Sequence, residues 1–476
     1  MAVTHTAADA IAATTMTNAV ADIEQETPEI EKERQLAGVG AGAGTVANGK
    51  KKPHDHALAS ILGPAFVAAV AYVDPGNVAA NITSGARYGY LLVWVLVLAN
   101  AMSVLIQYQS AKLGIVTNKS LPELLGERMS DAGRFMFFMQ AEVIAIATDL
   151  AEVIGGAIAL NLLFGLPLFV GGLVIGGAIA LNLLFGLPLF IGGLVIGAIS
   201  TVMLWFQGGK TQTTFERIII VMLLIITFGF IAGLFVDPPS PGEVVKGMIP
   251  RFQGTDSVLM AASILGATVM PHAIYLHSTL VNDHYAHGDK PSIAMQLKGS
   301  KIDVTWALLL AGTVNLAMLV LAANSLHGMS GTDSIDGAQR AITQVLGPVI
   351  GTIFSIGLLA SSLSSTSVGT YAGSEIMHGL LHVNAPMWAC RVVTLVPALI
   401  VLWFAKDPTQ ALVIGQVVLS IGIPFAVIPL MRYTHDKELM GKWADGTVKH
   451  VIFMIVVALI VALNVLLIVL TLMGRA

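Results

Sequence analysis

Along the 476 residues, long apolar runs alternate with short polar, charge-bearing stretches. The apolar windows lie near 57–87, 90–115, 134–206, 216–236, 257–281, 303–325, 348–377, 387–405, 410–431 and 450–473. A helical crossing takes about 20 apolar residues, and the window 134–206 is far too long for one. The pattern therefore predicts about eleven transmembrane helices, numbered here as spans 1 to 11, with spans 3 and 4 sharing that window. Residues 1–55 follow another rule: EQETPEIEKERQ is charged, GVGAGAGTVANG is rich in Gly and Ala, and no apolar core follows a basic start. This reads as a disordered tail and not a signal peptide, with the transmembrane domain over 56–476.

Composition agrees with an all-α integral membrane protein. The apolar fraction is 55%, the charged fraction 11% and the mean hydropathy +0.79, outside the balance of soluble domains. A net charge of -4 offers no basic face for nucleic acid. A single cysteine, Cys390, excludes an internal disulfide. Orientation follows from Lys and Arg in the short loops, which cytoplasmic loops retain. Lys50 to Lys52 precede span 1; Lys119, Arg128 and Arg134 follow span 2; Lys210 and Arg217 precede span 5. Lys290, Lys298 and Lys301 precede span 7, and Arg432, Lys437, Lys442 and Lys449 precede span 11. All fall on one side if spans 3 and 4 make one out-and-back excursion, which puts the N-terminus in the cytoplasm and the C-terminus outside.

A tandem copy strains that count. Residues 155–175, GGAIALNLLFGLPLFVGGLVI, recur at 176–196 with Val170 replaced by Ile191, and no charge occurs between Val153 and Gly209. So close a repeat is a duplication and not a solenoid period. A whole added span would invert every later loop and set the Lys/Arg pattern against itself. The expectation is that the extra copy lengthens spans 3 and 4 or forms an apolar hairpin at the outer face.

Chemistry concentrates at two interruptions. In span 1, Asp74-Pro75-Gly76-Asn77 breaks the helix: Pro75 lacks the N–H and clashes with the preceding turn, and Gly76 tolerates the altered path. The break frees carbonyls near Ala71 and puts a carboxylate where charge costs a few kcal/mol or more. A proline kink with Asp74 in a structural salt bridge is the plain alternative. In span 6, Ala267-Thr268-Val269-Met270-Pro271-His272 repeats the device. Two broken helices, each opening a run of five spans, are the mark of inverted-repeat transporters that hold substrate at the midplane. Asp74 and Asn77 offer hard oxygens and Met270 a thioether, and sulfur favours softer divalent metals over magnesium or calcium. Methionine is also ordinary core filler; its place beside Pro271 is what favours a ligand.

DPGN and MPH together resemble the signature pair of the natural resistance-associated macrophage protein (Nramp) family, and the resemblance continues through QYQSAKLGI, ATDLAE and GQVVLSIGIPFA, over about 57–473. It implies a ten-helix inverted-repeat core like that of the bacterial leucine transporter, plus a further helix, with spans 1 and 6 broken. It implies proton-coupled import of divalent metal, manganese(II) first and iron(II) or cadmium(II) also, by a multi-pass, monomeric protein of the cell membrane. By the same resemblance Asp74, Asn77 and Met270 supply side-chain ligands, the carbonyls of Ala71 and Ala267 join in particular conformations, and Gln416 joins when the site faces outward. No resident cofactor is implied.

Span 3 carries Glu142, Asp149 and Glu152 at spacings of seven and three, on one helical stripe. Carboxylates along a membrane span can hand on protons; a structural ion-pair network with Arg391 is the alternative. The family assigns a proton route to His272, Glu152, Asp149 and a span-9 arginine, and here Cys390 stands where a second arginine is usual. His277, five residues after His272, faces elsewhere on a regular helix, which argues against a two-histidine zinc site. Gln107 and Asn315 match the family's gating network and read equally as interhelical hydrogen bonds. Other readings stay open: a passive cation channel, separable by uphill, pH-dependent uptake, or a same-fold carrier of an organic solute, separable by manganese competition. A metalloenzyme would need an HExxH-like cluster, which the sequence lacks.

Overall fold

The computed structural model describes residues 63–164, 212–286, 291–329, 331–332, 334–383 and 408–473, with scattered positions between 386 and 404. The tail 1–55, the repeat beyond Phe164, Lys210, Lys290 and Arg391 lie outside the described residues. Among the described residues every regular element is helical. Span 1 is α1 (Pro64–Val70), a 3-10 turn (Ala71–Val73) and α2 (Pro75–Tyr88); α3 (Val93–Thr117) is span 2. A short α4 (Leu121–Arg128) leads to α5 (Asp131–Phe164), whose last ten residues are the start of the first repeat copy. Then come α6 (Gln212–Val236), α7 (Pro241–Gly247), the halves of span 6 in α8 (Gly254–Thr268) and α9 (Pro271–His284), and α10 (Ile293–Ser325). The remainder is α11 (Ile335–Leu346), α12 (Pro348–Leu381), α13 (Pro408–His435), α14 (Lys437–Met440) and α15 (Thr447–Leu472). Seven of these helical stretches are long and apolar enough to cross a membrane, spans 1 and 2 counting as one through Pro75–Thr117.

The bundle is apolar on the outside and polar within. Large apolar side chains such as Phe228, Trp306, Val349 and Phe404 are more than half exposed, whereas Asp74, Asn77, Gln107, Asn315 and Gln416 are at most 1% exposed. A water-soluble fold has the reverse arrangement; this one places its outer faces in hydrocarbon and keeps its polar groups for one another. The two helix breaks sit at the centre of this interior, among residues of the largest core cluster.

Ion pairs and caps tie the connections together at one end. Arg128, after α3, pairs with Asp436, after α13, at 3.0 Å; Lys112 of α3 pairs with the buried Asp445 at 2.6 Å; the Ser278 hydroxyl of α9 accepts from the Leu121 N–H at the head of α4. Arg128 holds the partly exposed Asp436 carboxyl below its ordinary pKa, helped by the N–H groups of Glu438 and Leu439. Asp436 also caps α14. At the same end Glu216 of α6 meets His284, the last residue of α9, at 2.9 Å. So α5 and α6 both start where Lys119, Arg128, Lys437 and Lys442 gather. The duplicated stretch between them is outside the described residues.

Candidate metal site at the paired helix breaks

The two breaks are built alike. Asp74 is the N-cap of α2 and Met270 the N-cap of α9; each is extended and followed by proline at the first helical position. Proline forces this geometry, since it disfavours helical backbone in the residue before it and loses nothing at a position whose N–H has no helical partner. At the first break the cap is complete: Asp74 Oδ1 accepts from the Asn77 N–H at 2.7 Å and from Asn77 Nδ2 at 2.6 Å. At the second there is no side-chain cap, because a thioether is a poor acceptor for a backbone N–H.

Unwinding frees carbonyls, which in a membrane interior must find donors. Asn315 Nδ2 donates to the Tyr72 carbonyl at 2.7 Å, the Ser361 hydroxyl to that of Val73 at 2.6 Å, and the Ser103 hydroxyl to that of Thr268 at 2.9 Å. Asn77 Nδ2 bridges both breaks, donating to Ala267 at 2.9 Å and more weakly to Ala71 at 3.5 Å. In this conformation the Ala71 and Ala267 carbonyls are thus engaged by Asn77.

What is left without a partner is informative. Asp74 Oδ2, Asn77 Oδ1 and both amide atoms of Gln416 are buried and make no hydrogen bond. They converge, because a Cβ at Gly76 would collide with Gln416 Nε2 and touch Asp74 Oδ2, while one at Gly266 would strike the Gln416 carbonyl. Glycine at both positions lets α13 press Gln416 onto the breaks. Met270 is fully buried beside them in the same core cluster as Ala71 to Val73. An unpaired buried carboxylate oxygen costs several kcal/mol unless a cation or proton meets it. One hard anion, two amide oxygens and one soft sulfur suit a softer divalent cation better than magnesium or calcium. Among the described residues no group of three or more His, Cys, Asp or Glu is placed to hold a metal ion.

Of the other nominated residues, Gln107 and Asn315 share one network. Gln107 Nε2 donates to the Tyr72 hydroxyl at 2.6 Å, and its Oε1 lies 2.7 Å from His277 Nδ1. With the amide donating to Tyr72, its oxygen accepts from His277, which fixes the imidazole proton on Nδ1. Asn81 Nδ2 donates to Asn315 Oδ1 at 2.9 Å. Gln107 and Asn315 therefore hold Tyr72 from both sides, one by its hydroxyl and one by its carbonyl. Apart from these, His272 Nδ1 is 3.4 Å from the Thr148 hydroxyl of α5, one residue before Asp149. Asp149 accepts from the Thr394 hydroxyl at 2.7 Å. Asp149 and Glu152 are buried, Glu152 lying against Gly369 of α12, and Glu142 is half-buried. His272 and His277 have separate partners.

Sequence reasoning passed over Tyr72, Asn81, Ser103 and Ser361. Tyr72 carried a signal, an aromatic hydroxyl two residues before an intramembrane carboxylate; the serines carried none, because a helical serine ordinarily bonds its own i−4 carbonyl.

Two interrupted spans whose halves pack crosswise at the breaks, α2 against α8 and α1 against α9, inside a bundle with an apolar exterior, define a broken-helix membrane transporter fold. The chain belongs to the Nramp (natural resistance-associated macrophage protein-like) family, whose model matches residues 65–176 and 172–470. The two matched stretches overlap at the junction of the two repeat copies. The chain is 50% identical over 415 residues to the divalent metal cation transporter MntH of Mycobacterium tuberculosis, covering 87% of this chain and 92% of that protein. A crystal structure of the Eremococcus coleocola manganese transporter superposes with a TM-score of 0.73 at 28% identity, covering 88% of each chain. A nucleobase-cation-symport-1 family transporter shares the fold at a TM-score of 0.54 and 16% identity, covering 86% of this chain and 89% of that one.

Proposed function

We propose that this chain is a proton-coupled secondary transporter that imports divalent transition-metal ions, manganese(II) first and iron(II) or cadmium(II) also, by alternating access. The observation that carries the reading is the set of buried, partnerless ligand atoms where the two breaks meet, Asp74 Oδ2, Asn77 Oδ1 and Gln416 Oε1, with the Met270 thioether beside them. The names of the relatives, a divalent metal cation transporter and a manganese transporter, support the choice of cargo.

In the cycle, metal binds Asp74, Asn77 and Met270 with Gln416 while the site faces outward. Metal that draws the Asn77 oxygen inward turns its Nδ2 away from the Ala71 and Ala267 carbonyls, releasing the bridge between the breaks and freeing both carbonyls as ligands. The Gln107 and Asn315 grips on Tyr72 then set how far α1 can pivot. Protons use Asp74 and His272 and pass along Asp149, Glu152 and Glu142, with Arg391 as the positive partner. The N-terminus is cytoplasmic and the C-terminus outside, following the Lys/Arg-rich end of the bundle.

The test is manganese uptake into proteoliposomes with and without an inward proton gradient. Accumulation above the external concentration, driven by the gradient and blunted by Glu152→Gln, is expected. Currents at channel rates, or uptake indifferent to pH, would overturn the reading.

A further inference from the structure

At the Lys/Arg-rich end lies a cavity of about 520 Å³ between α4, the end of α9 and the end of α12. It lies apart from the breaks: Thr279, which lines it, is nine residues beyond Met270 on α9, roughly 13 Å along the axis. Three carboxylates line it, Glu123, Asp283 and Glu375, with His378 and no Lys or Arg. Glu123 and Asp283 are near enough to act repulsively on Glu375. Two of the acids are anchored by hydrogen bonds: Glu123 Oε2 accepts from the Ser120 N–H at 2.6 Å, and Asp283 Oδ2 accepts from the Tyr371 hydroxyl.

A second observation points to a ligand. Thr279 is 6% exposed, and its Oγ1 is buried without any hydrogen-bond partner although it borders this polar cavity. Asn282 adds an amide. Three repelling acids and a bare hydroxyl around one cavity are relieved together by a cation that brings its own water. The acids do not close to an inner coordination sphere. A divalent ion with six waters, at about 30 Å³ per water, occupies roughly 200 Å³ and fits.

We infer that this cavity is a second, outer-sphere site for a hydrated divalent cation, where cargo leaving the helix breaks regains its water before entering the cytoplasm. Its role as an exit station rests on the metal-transport reading above; its capacity to bind the ion does not. All its donors are oxygens apart from His378 at the edge, so it distinguishes manganese from magnesium poorly, unlike a site containing Met270.

Manganese binding by the purified full-length chain, counted by equilibrium dialysis, tests this. Two affinity classes are expected, the weaker one displaced by millimolar magnesium. Asp74→Ala should remove the tight class and leave the weak one. Glu375→Gln should weaken the weak class about fivefold, as for one solvated charge contact, and Glu375→Gln with Asp283→Asn should abolish it while the tight class persists and reports an intact fold. The inference is overturned if Asp74→Ala binds no manganese, or if the weak class ignores both carboxyl changes. If the tight class survives Asp74→Ala, the transport-site reading falls, while loss of the weak class in the double variant still upholds this one.

Discussion

The two breaks share a design and differ in what occupies the cap. At the first, Asp74 caps its own helix, and Asn315, Ser361 and Asn77 reach the carbonyls of Tyr72, Val73 and Ala71. At the second, Met270 caps nothing, and among the described residues Ser103 and Asn77 brace the carbonyls of Thr268 and Ala267. Capping preference alone would put Asp, Asn, Ser or Thr at both places, at a gain of about 1 kcal/mol over a non-capping residue. The first break keeps that gain and adds a charge. The second forgoes it for a sulfur atom, which the proposed function explains as a soft ligand for the cargo. On the proposed function, the first break is to supply affinity and the second choice.

The largest effect expected from this division is at Asp74. Asp74→Ala removes the anion and the cap together, and manganese uptake in proteoliposomes should fall at least about 100-fold, as when one member of a buried charge pair is truncated. Retained transport would dissolve the distinction between the breaks, because no other acid lies in the donor set described. Next comes Gly76→Ala. Its methyl group lands on the Gln416 amide, and forcing α13 away should slow uptake about tenfold, the scale of overpacking in a tight interior. Gln416→Ala in the same chain should restore part of the rate; if it does not, the close approach is incidental to the site.

Met270→Ala should spare more. Manganese affinity should drop about tenfold, a loss typical of a weakened metal shell, with uptake still measurable and with calcium and magnesium competing more strongly. Competition curves identical to those of the unaltered protein would leave Met270 as core filler and remove the argument from softness.

How much of this could be read from the residue string follows from where each signal resides. The bundle was legible because hydrocarbon demands unbroken apolar runs. The breaks were legible because a mid-span proline removes a backbone donor and, with glycine beside it, opens the helix. Asp74, Asn77 and Met270 were nominated by lying within those breaks, and the structure places all three where the half-helices meet. The braces were not legible. Ser361 reaches Val73 from 288 residues away, and in sequence it is one hydroxyl within the run SSLSSTS. Gln107 and Asn315 were visible as polar groups in apolar spans, but that both grip Tyr72 is a fact of packing. The cavity at the end of α9 escaped for the same reason: Glu123, Asp283 and Glu375 belong to three separate segments, and nothing in the residue string brings them together.

The smallest expected effect bears most directly on the comparison. Met270→Ser gives the second break the cap it lacks, since a serine hydroxyl can accept from an N–H in the first turn of α9 as Asp74 does in α2. The variant should be more stable by about 1 kcal/mol at most, a rise of about 2 °C or less in apparent unfolding temperature for a chain of this size. It should also carry manganese with poorer discrimination against calcium than the unaltered protein. Both changes must occur together if the cap was given up for selectivity. Gained stability with unchanged selectivity would show that the sulfur contributes nothing to cargo choice. Lost selectivity without gained stability would show that the second break is held by its neighbours and never required a cap, leaving the sulfur as the sole reason for methionine at this position.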